Sequence, residues 1–298
     1  MKYTFFVCSL IFVFFTFQQC KAPLGKSVQV VQKQKTNSFA NKKLLKSAVL
    51  KKIRYIMVSP IQWMKEHETD SLHQQIAFAL NRTNRNNFSN MDSVLVPTDF
   101  KYNLADYLPF PLEVKYLKDI DKIILFSYPT QTFAAYEKGM LIYTGPTSMG
   151  SKKHLTPTGI FYTNWKAKMT ISTINDKWIL KWNFNILNKE GIGWHQYNLP
   201  GYPASHSCLR LLEEDAHYIY QWADQWILAD KFTVAVKGTP VIVFGSYDFS
   251  APKPWLKLTT NSHAIDISID EMKKLTQPYL VEILNEQKIR VTHLKTKE

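Results

Sequence analysis

From residue 193 to residue 211 the chain places two imidazoles, His195 and His206, and one thiol, Cys208, around a Pro200-Gly201 turn. Proline presets φ and glycine admits φ > 0, so this dipeptide marks a turn. The His195 and Cys208 segments are then able to fold back on each other, and contact between the two side chains is feasible. A cysteine nucleophile needs a base or cation nearby to populate its thiolate, and a folded-back histidine supplies one. Cys208 also lies just before Glu213, where a helical pattern begins. Backbone N–H groups of that loop are available to a developing oxyanion.

The other two cysteines are accounted for elsewhere. Lys2 is followed by an almost wholly apolar, Phe-rich run from Tyr3 to Phe17 that contains Cys8. Such a run suits a signal-peptide core and is short for a span, which needs about 20 residues. It ends at Gln18-Gln19-Cys20, and a cysteine just after the apolar core resembles a bacterial lipoprotein signal. The expectation is a signal over 1–20, lipidation at Cys20, and a body exported to the periplasm-facing cell envelope and held at a membrane by the anchor. Cys208 is then the one thiol of the exported body. It cannot enter an internal disulfide, so it is either buried and inert or kept for chemistry.

Charge supports this division. The formal charge is +13, yet Lys21 to Arg54 holds ten Lys/Arg and no Asp or Glu. These ten and Lys2 leave +2 for residues 55–298. A nucleic-acid-binding face would carry its basic residues on the folded body, interleaved with aromatics. Here they occupy a Gln/Lys/Asn-rich stretch, so 21–54 reads as a basic tether and nucleic acid is excluded as a partner.

Periodicity divides the body. Ala48, Val49, Ile53, Ile56 and Met57, then Ile76, Ala77 and Leu80, recur at helical spacing, with Pro60 separating two helical pieces over 47–80. The helix end at Leu80-Asn81-Arg82, a polar loop and Val94-Leu95-Val96-Pro97 resemble the second half of a LysM-like glycan-binding module. From Asp121 the texture turns to strand: Ile123-Ile124-Leu125-Phe126, Thr132 to Tyr136, a turn at Lys138-Gly139, and Met140 to Tyr143. Residues 161–165, 178–186 and 241–244 continue it. One amphipathic helix is expected from Glu213 to about Ile227. A short strand and an amphipathic helix interrupted by Pro278 are expected after Ser262.

The chemical segment resembles the catalytic motif of the L,D-transpeptidases, the YkuD-type catalytic domain. The motif is a histidine, a loop, then Ser/Thr-His-Gly-Cys with an apolar residue and Arg or Asn. Here it reads His195, then Ser205-His206-Ser207-Cys208-Leu209-Arg210. Met149-Gly150, Thr156-Pro157-Thr158-Gly159-Ile160-Phe161 and Gly238-Thr239-Pro240-Val241-Ile242-Val243 are similar to further family elements, in the family's order. The resemblance implies a mainly β chain with α additions (α+β): a catalytic β-sandwich with a capping helix over 118–248. Before it stands a small helical, LysM-like lead-in over 55–117, and after it an extension over 249–298.

The resemblance also implies roles. Cys208 is the nucleophile and His195 the base. His206, Ser207 and Arg210 belong to the oxyanion and substrate-binding loop. The substrates are peptidoglycan stem peptides, and the implied outcome is acyl transfer to an amine in cell-wall crosslinking or protein attachment. Hydrolysis on the same scaffold, by an L,D-carboxypeptidase or amidase, and a non-catalytic wall-binding lipoprotein are the alternatives. No cofactor is implied, a monomer is expected, and no metal site is expected, since His195, His206 and Cys208 lack a fourth ligand. Ser207 replaces the motif glycine, which is costly if that position needs φ > 0. Arg210 either holds the loop or pairs with a carboxylate. Trp178, Trp182 and Trp194 pack the strands or flank the substrate cleft, and His154 and His217 are packing or surface residues.

Overall fold

The computed structural model describes residues 53–172 and 175–296. The apolar run, Cys20 and nearly all of the basic stretch lie outside the described residues. Among the described residues no helix is long and apolar enough to cross a membrane.

The start of the body corrects the helical reading. Tyr55–Val58 (β1) is a strand paired antiparallel with Val94–Pro97 (β2). Tyr-Ile-Met-Val is a β-prone run, and the ladder supplied by β2 overrides the helical spacing. Pro60 opens α1 (Pro60–Glu66) instead of dividing two helices; at the first helical position its missing N–H costs nothing. Then come α2 (Ser71–Leu80), whose His73 N–H is accepted by the Asp70 side chain at 3.0 Å, and a short α3 (Arg85–Ser89). Trp63, Ala77, Phe88, Val94 and Val96 form the core of this strand–helices–strand module.

The next strands are β3 (Ile123–Ser127), β4 (Thr132–Glu137), β5 (Met140–Pro146), β6 (Gly159–Tyr162), β7 (Lys166–Ile171), β8 (Ile179–Leu187), β9 (Ile192–Gln196) and β10 (Leu209–Leu211). Helix α4 (Glu213–Trp222) follows, then β11 (Ile227–Leu228), β12 (Val234–Val236) and β13 (Pro240–Phe244). A five-stranded sheet has the order β5-β4-β3-β13-β6, and a four-stranded sheet the order β10-β9-β8-β7.

Alternation along β3, β4 and β13 gives the first sheet two apolar faces. Ile124, Phe126, Phe133, Ala135, Val241 and Val243 pack with Phe184, Trp194, Leu209 and Leu211 of the second sheet and with Ala216 and Ile219 of α4. This shared interior is the β-sandwich core with its capping helix. On the opposite face Ile123, Leu125, Ala134, Tyr136, Ile242 and Phe244 pack with Ile267, Met272 and Ile283. Near-continuous runs such as Ile-Ile-Leu-Phe and Val-Ile-Val-Phe are what a strand covered on both sides requires.

The last residues named belong to the C-terminal extension. It holds α5 (Ile269–Thr276) and α6 (Leu280–Lys295), joined through a turn containing Pro278. The expected strand after Ser262 is absent among the described residues; Ile265 and Ile267 are buried without forming one. α4 also ends sooner than its apolar stripe implied. Its boundary at Trp222 reflects capture of Asp224, whose N–H donates to Thr239 Oγ1 at 2.8 Å and whose carbonyl accepts from Thr163 and Thr239. Trp226 therefore falls outside the helix, and Ile227 joins a strand instead.

Candidate functional site

β9 and β10 run parallel in the register Leu209 opposite Trp194 and Arg210 opposite His195. With the two-residue period of a strand, this sends alternate side chains to opposite faces. Trp194, Leu209 and Leu211 enter the sandwich core with no exposed surface. His195 and Arg210 take the other face, together with Cys208 just before β10. All three line one cleft, with Ser205, His206, Tyr197, Trp165 and Trp178 among its walls. Gly193 lies beside the thiol. A Cβ there would stand 2.2 Å from the Phe184 carbonyl oxygen, so the irregular, close pairing of β8 with β9 admits only glycine.

His195 is only 4% exposed. Its Nδ1 donates to the Gln196 carbonyl at 2.9 Å, which fixes the tautomer with Nε2 unprotonated and free to accept a proton. Burial pulls its pKa down to about 4, the carbonyl opposes that pull, and the Arg210 charge adds to it. Burial pushes the Cys208 thiol up, while the Gly193 backbone and Arg210 pull it back. The resting pair at neutral pH is thus a neutral imidazole and a thiol, not an ion pair.

The thiol's loop is held by hydroxyls. Thr156 Oγ1 accepts from the Gly150 N–H and donates to the Ser207 carbonyl, each at 2.8 Å. Because the peptide is planar and trans, the Cys208 N–H points away from Thr156. Ser205 Oγ donates to the Cys208 carbonyl at 2.5 Å. Ser207 has φ +75°, so the position where the motif has glycine does require the left-handed region. Tyr128 donates from its hydroxyl to the Gly150 carbonyl, and Gln131 Oε1 accepts from the Met149 N–H at 2.8 Å. Neither Tyr128 nor Gln131 is marked by any periodicity in the sequence.

Arg210 has no carboxylate partner among the described residues. Its guanidinium stands 4.4 Å from the Tyr197 ring centre, and its backbone exchanges two hydrogen bonds with Ser148 at 3.1 Å. These contacts tie β10 to Ser148 and the guanidinium to Tyr197. His206 stacks on His154 at 4.4 Å, and Trp178 packs against His206 at 5.2 Å. Of the three tryptophans, Trp178 lines the cleft and Trp194 is core. Trp182, at φ +53°, packs against His217 with the rings tilted and their centroids 4.1 Å apart. Among the described residues no group of three or more His, Cys, Asp or Glu is arranged to hold a metal ion.

Cys20, expected to be lipidated, lies outside the described residues. Cys208, His195, His206 and Arg210 are brought to one cleft, and Ser207 lies in the same loop.

Residues 121–243 match the family model YkuD, the L,D-transpeptidase catalytic domain. No curated protein matches the chain. Among solved structures, an L,D-transpeptidase from Stackebrandtia nassauensis is 24% identical with a TM-score of 0.36, over 42% of this chain and 56% of that one. One from Mycobacterium tuberculosis is 21% identical with a TM-score of 0.34, over 42% and 58%. A fused Zn-dependent amidase/peptidase with a peptidoglycan-binding domain from Clostridium acetobutylicum is 24% identical with a TM-score of 0.31, over 42% and 52%. The chain thus spans somewhat more than half the length of each. The segment that matches the L,D-transpeptidase catalytic domain of the YkuD family thus contains both β9 and β10, the strands that carry His195 and lead out of Cys208.

Proposed function

We propose that this chain is a cysteine-dependent L,D-transpeptidase acting on peptidoglycan stem peptides. The observation that carries the reading is the parallel pairing of β9 with β10, which turns His195 and the Cys208 loop onto one cleft. As Cys208 Sγ attacks the amide carbonyl of the stem, His195 Nε2 takes the thiol proton. The carbonyl becomes a tetrahedral oxyanion, stabilised by loop N–H groups, that of Cys208 among them. The C–N bond then breaks, and the imidazolium returns its proton to the departing amine. An acceptor amine attacks the thioester, displaces Sγ as the leaving group, and yields a new amide and the free thiol.

The neutral resting pair suits this sequence. Burial keeps the imidazole unprotonated at neutral pH, the form from which a general base accepts the thiol proton. Intact mass after incubation with a carbapenem tests acylation: one adduct on the wild type and none on Cys208→Ala is expected. An unmodified wild type would overturn the reading and favour a non-catalytic wall-binding role. Muropeptide products then separate outcomes. Dimers mean transfer, and trimmed monomers mean that water resolves the thioester.

The envelope location belongs to the same proposal. The Phe-rich run and Cys20 support a lipid-anchored, exported protein. Cys20→Ala should release the protein from membranes; unchanged fractionation, with no lipid mass on the wild-type N-terminal peptide, would count against the anchor.

A further inference from the structure

The loop that joins His195 to Cys208 is anchored at two ends by different parts of the molecule. Its second half is tied to the segment before β6: Ala204 N–H donates to Ser148 Oγ at 3.2 Å, and Ser205 N–H to the Met149 carbonyl at 3.0 Å. Its first half is tied to the module that precedes the catalytic domain, through the segment first read as the end of a LysM-like helix. Leu199 N–H donates to Asn84 Oδ1 at 3.1 Å. The Leu199 carbonyl accepts from Asn84 N–H at 3.3 Å, Thr83 Oγ1 at 2.9 Å and Asn87 Nδ2 at 3.0 Å.

Both backbone groups of a fully buried residue are thus satisfied by the neighbouring module. Gly201 N–H donates to the Arg82 carbonyl at 3.0 Å, and Thr83 pairs with Pro200 as an isolated antiparallel bridge. A Cβ on Gly201 would meet the Met91 side chain at 2.5 Å.

Two features set these contacts apart from ordinary packing. Asn84 stands at the N-cap of α3, where an asparagine side chain usually bonds the helix's own N–H groups. Here it bonds no backbone N–H of the helix; its Oδ1 accepts from the Asn87 side chain at 2.7 Å and, across the boundary, from Leu199 N–H. Arg82 is fully buried at φ +55°, with Nε donating to the Thr130 carbonyl at 2.8 Å. A strained, buried residue that joins the module to the β3–β4 turn fixes the frame from which Asn84 acts.

We propose that Asn84 is a positioning residue of the active site: through Leu199 it sets the loop that joins His195 to Cys208. The module is then a working part of the catalytic centre and not an appendage to it. This inference rests on the transpeptidase reading for its chemistry, though the thiol's reactivity tests it independently. A displacement on the order of 1 Å of a group aligned for reaction costs up to about a hundredfold in rate.

The experiment uses the full chain. Asn84→Leu keeps the volume and removes the acceptor for Leu199 N–H; Asn84→Asp keeps the acceptor. Ile76→Ala, in the module's buried interior, serves as a destabilised control. Three quantities are read: the limiting rate of Cys208 acylation by a carbapenem, the pH profile of Cys208 alkylation by iodoacetamide, and Tm. Asn84→Leu should slow acylation by about tenfold or more and displace the alkylation profile. Asn84→Asp should stay within about twofold on both, and Ile76→Ala should lower Tm while leaving both unchanged.

The proposal is overturned if Asn84→Leu matches wild type on both readouts, if Asn84→Asp falls as far as Asn84→Leu, or if Ile76→Ala slows the reaction equally. Should Asn84→Leu not fold, Thr83→Val removes one of the three donors to Leu199, and a smaller displacement of the same profile is expected; no displacement rejects the clamp. A wild type inert to carbapenem would reject the transpeptidase reading alone, because the alkylation profile still decides the role of Asn84.

Discussion

The two large sheets differ in composition and serve different ends: apolar runs fill the strands of one, while polar and apolar residues mix along those of the other. The five-stranded sheet is covered on both faces, by the second sheet and α4 on one side and by α5 and α6 on the other. The four-stranded sheet gives one face to that core and the other to the cleft, and its edge strand β7 leaves Met169 and Ile171 each 62% exposed. A doubly covered sheet has no free face on which to place a reacting group. The four-stranded sheet places His195 and Arg210 in the wall of a cleft while their neighbours Trp194 and Leu209 lock the same strands into the core. Rigidity and access are thus supplied by adjacent residues on one backbone.

Removing chemistry from the open face should have the largest effect. His195→Ala is expected to slow Cys208 acylation by about a hundredfold or more, in line with the loss of a general base, with little change in Tm. A single-turnover rate within about twofold of wild type would move the base role to His206. The complementary change strikes the covered face. Ile283→Ala, at a position 2% exposed, should cost about 2–5 kcal/mol of stability, seen as a lower denaturant midpoint. At temperatures where the variant stays folded, the acylation rate should be that of wild type. A parallel loss of rate would show that the two sheets are not separable in this way.

Acid should sharpen the contrast. His195 titrates at about 4 in the folded chain against 6.5 when unfolded. Between these values the unfolded state binds the proton and the folded state refuses it, so stability present above pH 6.5 is lost as pH falls toward 4. The full shift corresponds to about 3 kcal/mol. A pH series of Tm should show a shallower acid slope in His195→Gln, and identical slopes would disprove the burial argument.

The smallest effect is expected at Ser207. Glycine there relieves a left-handed φ worth about 1 kcal/mol while adding freedom to the unfolded chain. Ser207→Gly should therefore be as stable as wild type or slightly more so, with acylation within about fivefold. A loss above a hundredfold would show that the hydroxyl itself contributes.

The strands, and the meeting of His195 with Cys208 in one cleft, were legible because each leaves a local signal. Ile123 to Phe126 and Val241 to Phe244 are apolar runs, and His195 and Cys208 stand fourteen residues apart, inclusive, around a turn. What escaped depends on partners remote in sequence. Tyr55–Val58 is a strand because Val94–Pro97 pairs with it. Asn84 meets Leu199 across 115 positions, and no periodicity encodes that contact. Tyr128 and Gln131 look like ordinary turn residues until the Met149-Gly150 segment comes to rest on them.

The pairing of β3 with β13 has a consequence in time. Ile124 lies beside Val241 at the centre of the larger sheet, and the two are separated by nearly the whole catalytic segment. That sheet cannot close until the chain has been made through Phe244, and its outer face stays bare until α6 follows. Such distant pairings form slowly and late. The central sheet is therefore a product of the whole segment at once, and no shorter piece of it can close that sheet alone.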